Sequence, residues 1–144
     1  MITYKQIKKA INDKIKSKFS IEINSKDISE GFIRPSFFVD FENMTRTALE
    51  SQIERSFTVR IYFFPTNKDS YSMEVLDVLE GLEEIFDLKL HVQDRYFNIL
   101  ETNSDTTDGV LQFEFEIQYE DSRETEEAGQ AEMMQVLEIE KEVQ

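Results

Sequence analysis

Residues 52–64 read Gln52-Ile53-Glu54-Arg55-Ser56-Phe57-Thr58-Val59-Arg60-Ile61-Tyr62-Phe63-Phe64. Apolar side chains fall at Ile53, Phe57, Val59, Ile61 and Phe63, and Arg55 breaks the phase once. Gln52, Glu54, Ser56, Thr58 and Arg60 fill the alternate positions. A side-chain period of two, held over about a dozen residues, marks a strand with one face in a core. Pro65 lacks an N–H and stops the ladder. Tyr62 and Phe64 depart from the polar phase at the strand's end. Outward aromatics there serve either a second layer or a partner surface.

The same pattern recurs at the end of the chain's aromatic-rich part. Leu111, Phe113, Phe115, Ile117 and Tyr119 alternate with Gln112, Glu114, Glu116, Gln118 and Glu120. This reads as a long antiparallel strand with one polar face. Phe57, Val59, Ile61, Phe113, Phe115 and Ile117 are therefore the expected core.

Working outward, Ser36 to Met44 is a further strand, with Pro35 at its entrance. Residues 20–24 form a short strand, and 25–35 a loop. Leu88, Leu90 and Val92 alternate as a strand, and a tight connection at Gln93-Asp94 leads to another over 95–102, with Phe97 and Ile99 inward. The polar stretch 103–109 reads as a turn or exposed loop. Two helices complete the set. Thr3 and Gln6 have capping-box spacing, and Ile7, Ile11 and Ile15 with Ala10 and Phe19 form one apolar stripe over 3–18. Tyr71, Val75, Val78, Leu79, Leu82, Ile85 and Phe86 repeat at helical spacing over 70–86, with Asp69 or Ser70 as the cap. Gly81 inside that helix either packs closely on the sheet or is tolerated. The order αβββαβββ predicts an α+β fold, a mostly antiparallel sheet carrying both amphipathic helices on its apolar face.

The chain has 144 residues, one domain's worth, and a net charge of −14. It has no cysteine and one histidine, which excludes disulfides, thiolate zinc sites and multi-histidine metal clusters. No apolar run approaches the ~18 residues of a membrane span, and the N-terminus lacks the apolar core of a signal peptide. The expected compartment is the cytoplasm. At pI ≈ 4.4 the chain lacks the clustered cations that nucleic-acid binding requires. Charge is uneven: residues 1–20 hold six lysines and one aspartate, while 120–144 hold nine acids against Arg123 and Lys141. The expected organisation is a domain over 1–120 and an acidic appendage over 121–144, flexible or a helix ordered by a partner. The lysines of 3–18 are either a solvated face or a docking surface for an acidic partner.

Chemistry is sparse. His91 lies between Leu90 and Val92, off the core face, and has no nucleophile motif beside it. Thirty carboxylates make close acidic pairs uninformative. The glycines at 31, 81, 109 and 129 are too scattered for a phosphate loop, and Asp105–Asp108 lacks calcium-loop spacing. No catalytic residue, metal ligand or cofactor is assigned.

Two stretches carry a resemblance: Glu30-Gly31-Phe32-Ile33-Arg34-Pro35-Ser36-Phe37-Phe38, and Arg55 through Tyr62-Phe63-Phe64-Pro65. With the helix Tyr71–Phe86 after them, they resemble the tail terminators of contractile-tailed phages, prophages and phage-tail-like bacteriocins of Gram-positive bacteria. The resemblance covers about residues 1–120. It implies an α+β virion structural protein of the tail–neck junction, assembled as a hexameric ring. Such a ring caps the tail tube, stops its polymerisation and meets the head connector. The implied partners are further copies of the chain, the tube protein, the sheath protein and a neck or connector protein. No active-site residue carries over. Arg34, Tyr62 and Phe64, which interrupt the strand patterning, are the expected contact residues. The alternatives are another neck or tail completion protein, or a small intracellular enzyme or regulator with a site built at an oligomer interface.

Overall fold

The computed structural model describes residues 1–24 and 33–123. Helix α1 (Tyr4–Lys18) opens on the expected capping box. Gln6 N–H donates to Thr3 Oγ1 (3.2 Å), and Thr3 N–H donates to Gln6 Oε1 (2.9 Å). Ile2 and Ile7 hold the two positions of a hydrophobic staple, and both are buried. Ile7, Ile11 and Ile15 are fully buried, so the apolar stripe is the inner face of the helix.

The strands are β1 (Glu22–Asn24), β2 (Ser36–Ala48) and β3 (Gln52–Phe64). Helix α2 (Ser72–Ile85) follows, then β4 (Leu88–Val92), β5 (Arg95–Ile99), β6 (Thr102–Thr107) and β7 (Val110–Ser122). Five strands form one sheet in the order β1-β2-β3-β7-β6. Only β1 runs parallel to its neighbour β2; the other pairs are antiparallel. The α+β class is as expected.

Register explains the core. Phe37, Phe63 and Leu111 lie in one cross-strand row, and Val39, Ile61 and Phe113 in the next. Val59 faces Phe115, and Phe57 faces Ile117. All six expected core residues are buried. Directly opposed apolar pairs of this kind are the unit of sheet stabilisation. The second layer packs on them ring against ring. Tyr4 meets Phe57 at 5.6 Å, Phe19 meets Phe37 at 5.2 Å, Phe86 meets Phe115 at 5.1 Å and Phe97 meets Tyr119 at 4.9 Å. Both helices and the β4–β5 hairpin bury their apolar residues in this one cluster. The opposite face of the five-stranded sheet carries no second layer among the described residues.

Several expectations are corrected. The stretch 103–109 is not a loop: β6 pairs with β7 from Thr102↔Phe115 to Thr107↔Val110. Asp108 (φ 52°) and Gly109 (φ 77°) make the two-residue turn between them, the left-handed pair that closes tight hairpins. The strand expected over 95–102 ends at Ile99, and β6 starts at Thr102, so four strands follow α2. Strands β4 and β5 do not join the main sheet; they form their own hairpin in the helical layer. Leu88 is 70% exposed because its positive φ (63°) turns it out of the apolar phase of Leu90 and Val92. The strand expected to end at Met44 runs on to Ala48, past an irregularity between Glu42 and Thr45. Neither Asp69 nor Ser70 caps α2; the cap position is Tyr71, and Asn67 Oδ1 accepts from the N–H groups of Asp69 and Ser70 instead. At Gly81 an added Cβ would stand 2.6 Å from Phe19 Cζ, so its close contact is with the end of α1 rather than with the sheet.

At the far end, Asp121 and Ser122 continue β7 opposite Ile53 and Gln52. Arg123 N–H donates to Ser51 O (3.3 Å). The appendage expected over 121–144 otherwise lies outside the described residues, as do Glu30, Gly31 and Phe32 of the quoted motif.

Candidate functional site

The bare face of the sheet is the surface that the described residues leave largely uncovered. Residues alternate with the core positions, so the same strands that bury phenylalanine present acids on the other side. One row crosses Asp40, Arg60, Glu114 and Asn103, and the next crosses Glu42, Thr58 and Glu116. Further along, Glu54 directly faces Glu120. Like charges directly opposite destabilise a strand pair. This pair adds no stability of its own to the free chain.

Arg60 is the one cation in these rows. Its Nη1 lies 3.2 Å from Glu42 and its Nη2 lies 2.7 Å from Glu114. The bond to Glu114 is the first cause that holds the guanidinium above its ordinary pKa. Tyr62 Oη donates to Glu42 Oε1 at 3.4 Å, a long bond, and burial is the first cause raising the Tyr62 pKa. The Phe38 ring lies 5.9 Å from that of Tyr62. The bare face is thus aromatic at its β1 end and acidic over the rest.

The three expected contact residues fall at the aromatic end. Tyr62 is half-buried on the bare face. Phe64 shares its phase but is buried, at 4% exposure. Arg34 Nη1 donates to Pro65 O (3.2 Å), and its guanidinium carbon lies 5.9 Å from the Phe64 ring centre. Arg34 and Phe64 therefore meet, and Tyr62 lies two residues along the same strand. Sequence reasoning missed the acidic rows of Glu42, Glu54, Glu114, Glu116 and Glu120. Their alternation along each strand was visible, but only the register across strands turns it into a surface.

The opposite side of the molecule is different in charge. Lys5, Lys8, Lys9, Lys14, Lys16 and Lys18 of α1 are all exposed. Lys9 pairs with Asp13 at 3.0 Å, and Lys18 with Glu84 at 2.9 Å. His91 is exposed on the outer side of the β4–β5 hairpin, stacked on Tyr96 at 4.4 Å.

The surface has open depressions among the described residues. One, of about 390 Å³, is lined by Thr58, Asn98, Leu100, Glu116 and Gln118 among others. It presents amides and carboxylates without a nucleophile held by a base. Among the described residues no group of three or more His, Asp or Glu side chains is placed to hold a metal ion, and no helix is long and apolar enough to cross a membrane.

No curated protein matches the sequence. A family model described as "Phage tail terminator protein" matches residues 6–129. That range takes in α1 from Gln6 on, all of α2 and every strand of the main sheet. It is a family of structural tail proteins, and its place is the tail of the virion. By this match the chain belongs to the phage tail terminator family.

Proposed function

We propose that the protein is a tail terminator that caps the tail tube as a hexameric ring, stops tube polymerisation and offers the surface on which the head joins the tail. It works by surface complementarity, without catalysis and without a cofactor. Its partners are copies of itself, the tube protein, the sheath protein and a neck or connector protein. The particle is a contractile-tailed phage, prophage or tail-like bacteriocin of Gram-positive bacteria. Arg34, Tyr62 and Phe64 stand at or near a subunit or tube contact. The acidic stretch 121–144 is an appendage of the 1–120 domain.

One observation carries this reading beyond family membership: the fold has two unlike sides, a lysine-bearing helix and a bare acidic sheet face. A tube grows by repeating one heterologous contact, which does not close on itself along the axis. Growth ends when a subunit accepts that contact on one side and presents a different surface on the other. The test is negative-stain imaging of particles made without this protein. Tubes of irregular or excess length and tails without heads are expected. Normal-length tails on filled heads would refute the reading.

A further inference from the structure

We propose that the exposed lysine stripe of α1 in one copy docks on the bare acidic sheet face of the next copy. This contact rests on the ring reading above and specifies what holds the ring together.

Geometry excludes the same contact within one molecule. Ile7, Ile11 and Ile15 turn one side of α1 into the core, on the apolar face of the sheet. Successive helix residues rotate by about 100°. Lys5, Lys9 and Lys16 therefore share a stripe on the outward side, and all three are exposed, Lys9 in a solvated pair with Asp13. The acidic face points the other way, beyond the sheet. The two surfaces meet only between copies, and each copy then uses one surface to give and one to receive. Such a heterologous contact closes into a ring when its rotation closes.

Charge and length also match. Glu116 and Glu120 are exposed on β7, and Glu54 faces Glu120 across the strands. Arg60 is already engaged by Glu42 and Glu114, so it leaves Glu54, Glu116 and Glu120 without a neutralising cation in their rows. A lysine supplied from outside relieves the opposed pair. From Lys5 to Lys16 the helix rises about 16 Å. From Glu114 to Glu120 the strand runs about 20 Å. The stripe fits along the strand. The exposed apolar residues Met73 and Leu76 belong to α2, on the other side of the sheet, and Leu100 borders the acidic face in a depression with Thr58, Glu116 and Gln118. Charge dominates both surfaces, so the contact weakens as salt rises.

The experiment uses the full chain with two charge-reversed versions. The first carries Lys5→Glu, Lys9→Glu and Lys16→Glu. The second carries Glu54→Lys, Glu116→Lys and Glu120→Lys. Alone, each presents like charges on both surfaces and should lose self-association by at least about tenfold in sedimentation at low salt. Mixed, they complement each other at every contact and should associate again in alternation, which a ring with an even number of members permits. Circular dichroism establishes that each version is folded. Self-association unchanged in either version, or no recovery in the mixture, overturns the proposal.

Should the wild-type chain stay monomeric in solution, the contact is read on assembled tails. The natural chain has no cysteine, so Lys9→Cys with Glu116→Cys gives an unambiguous crosslink. Oxidised tails should yield a ladder of multimers of this chain. Tails that carry the protein and have normal length, yet show no ladder or a crosslink to another tail protein, overturn the contact and leave the terminator reading standing. Absence of the protein from tails sinks the terminator reading itself.

Discussion

The two faces of the sheet's three long strands, β2, β3 and β7, come from the same thirteen-residue segments, one residue out of phase. On one face Phe57, Val59, Ile61, Phe113, Phe115 and Ile117 are buried. On the other, Thr58, Arg60, Glu114 and Glu116 lie beneath no second layer among the described residues. The apolar face is specified by residue type alone, since any register that opposes apolar rows buries them. The polar face gains meaning only when register decides which charge opposes which. One face therefore carries stability, and the other is available for partners.

The largest effect should come from breaking the apolar side. Phe115 is 2% exposed, faces Val59 and packs against the rings of Phe86 and, edge-on, Phe113. Phe115→Ala should cost about 3–5 kcal/mol, through lost transfer energy and the cavity left behind. The chemical-denaturation midpoint measures it. A negligible shift would mean that the face assigned as core is not the stabilising one.

The next effect concerns the device that sets register on β7. Gly109 sits at φ +77°, and a Cβ there would stand 3.1 Å from Tyr71 Cε1. Gly109→Ala should cost about 1–2 kcal/mol from the left-handed backbone alone. Amide exchange should quicken first along β6, which has no other strand to hold it. Uniform loss across the sheet would instead make the turn part of the core's cooperativity.

This hairpin also marks where the sequence ran out. The long strands and α1 were legible because burial imposes a period of two or 3.6 on apolar residues. Strand β6, Thr102-Asn103-Ser104-Asp105-Thr106-Thr107, is an edge whose side chains reach no core, so it carries no such period. Its readable signal was Asp108-Gly109, a hairpin dipeptide rather than a loop. For β4 and β5, alternation announced one buried face but not the layer it faces. The candidate surface was less legible still. Tyr62 and Phe64 were visible as outward aromatics, yet the opposition of Glu54 and Glu120 exists only in the pairing of two strands about 65 residues apart in sequence.

On the polar face, Arg60→Gln should cost less than about 1 kcal/mol, because all three members of the Glu42–Arg60–Glu114 cluster are partly solvated. The variant leaves two carboxylates, on the strands flanking β3, without their shared cation, and added salt screens their repulsion. The gap between variant and parent should thus narrow in 1 M salt. A loss as large as that of Phe115→Ala would erase the division of labour between the faces.

The smallest effect tests where the division blurs. At one end the apolar face turns polar: Arg55 opposes Tyr119, lies over the Tyr4 ring at 5.1 Å, and Arg95 pairs with Asp121. Tyr119 is the first cause of the raised Arg55 pKa, yet neither Tyr119 Oη nor Arg55 Nε forms a hydrogen bond of good geometry with a described partner. The attraction between them is a loose polar contact. Removing an unbonded buried hydroxyl is nearly neutral, so Tyr119→Phe should shift stability at pH 7 by no more than about 0.5 kcal/mol. High pH is where the hydroxyl should tell. Burial is the first cause that raises the Tyr119 pKa in the folded chain. Below the ordinary tyrosine value of about 10, folded and unfolded chains both keep the proton, and its contribution is fully present. As pH rises past that value, the unfolded chain releases the proton while the folded chain holds it. Stability therefore falls until the raised folded pKa is passed. Phenylalanine has no such proton, so urea midpoints measured from pH 7 to 11 should decline less steeply for Tyr119→Phe than for the parent, with Tyr62 contributing the same downward slope to both. An equal alkaline slope, or a cost above 2 kcal/mol at neutral pH, would show that this end of the apolar face is held by a formed hydrogen bond and belongs with the polar side of the comparison.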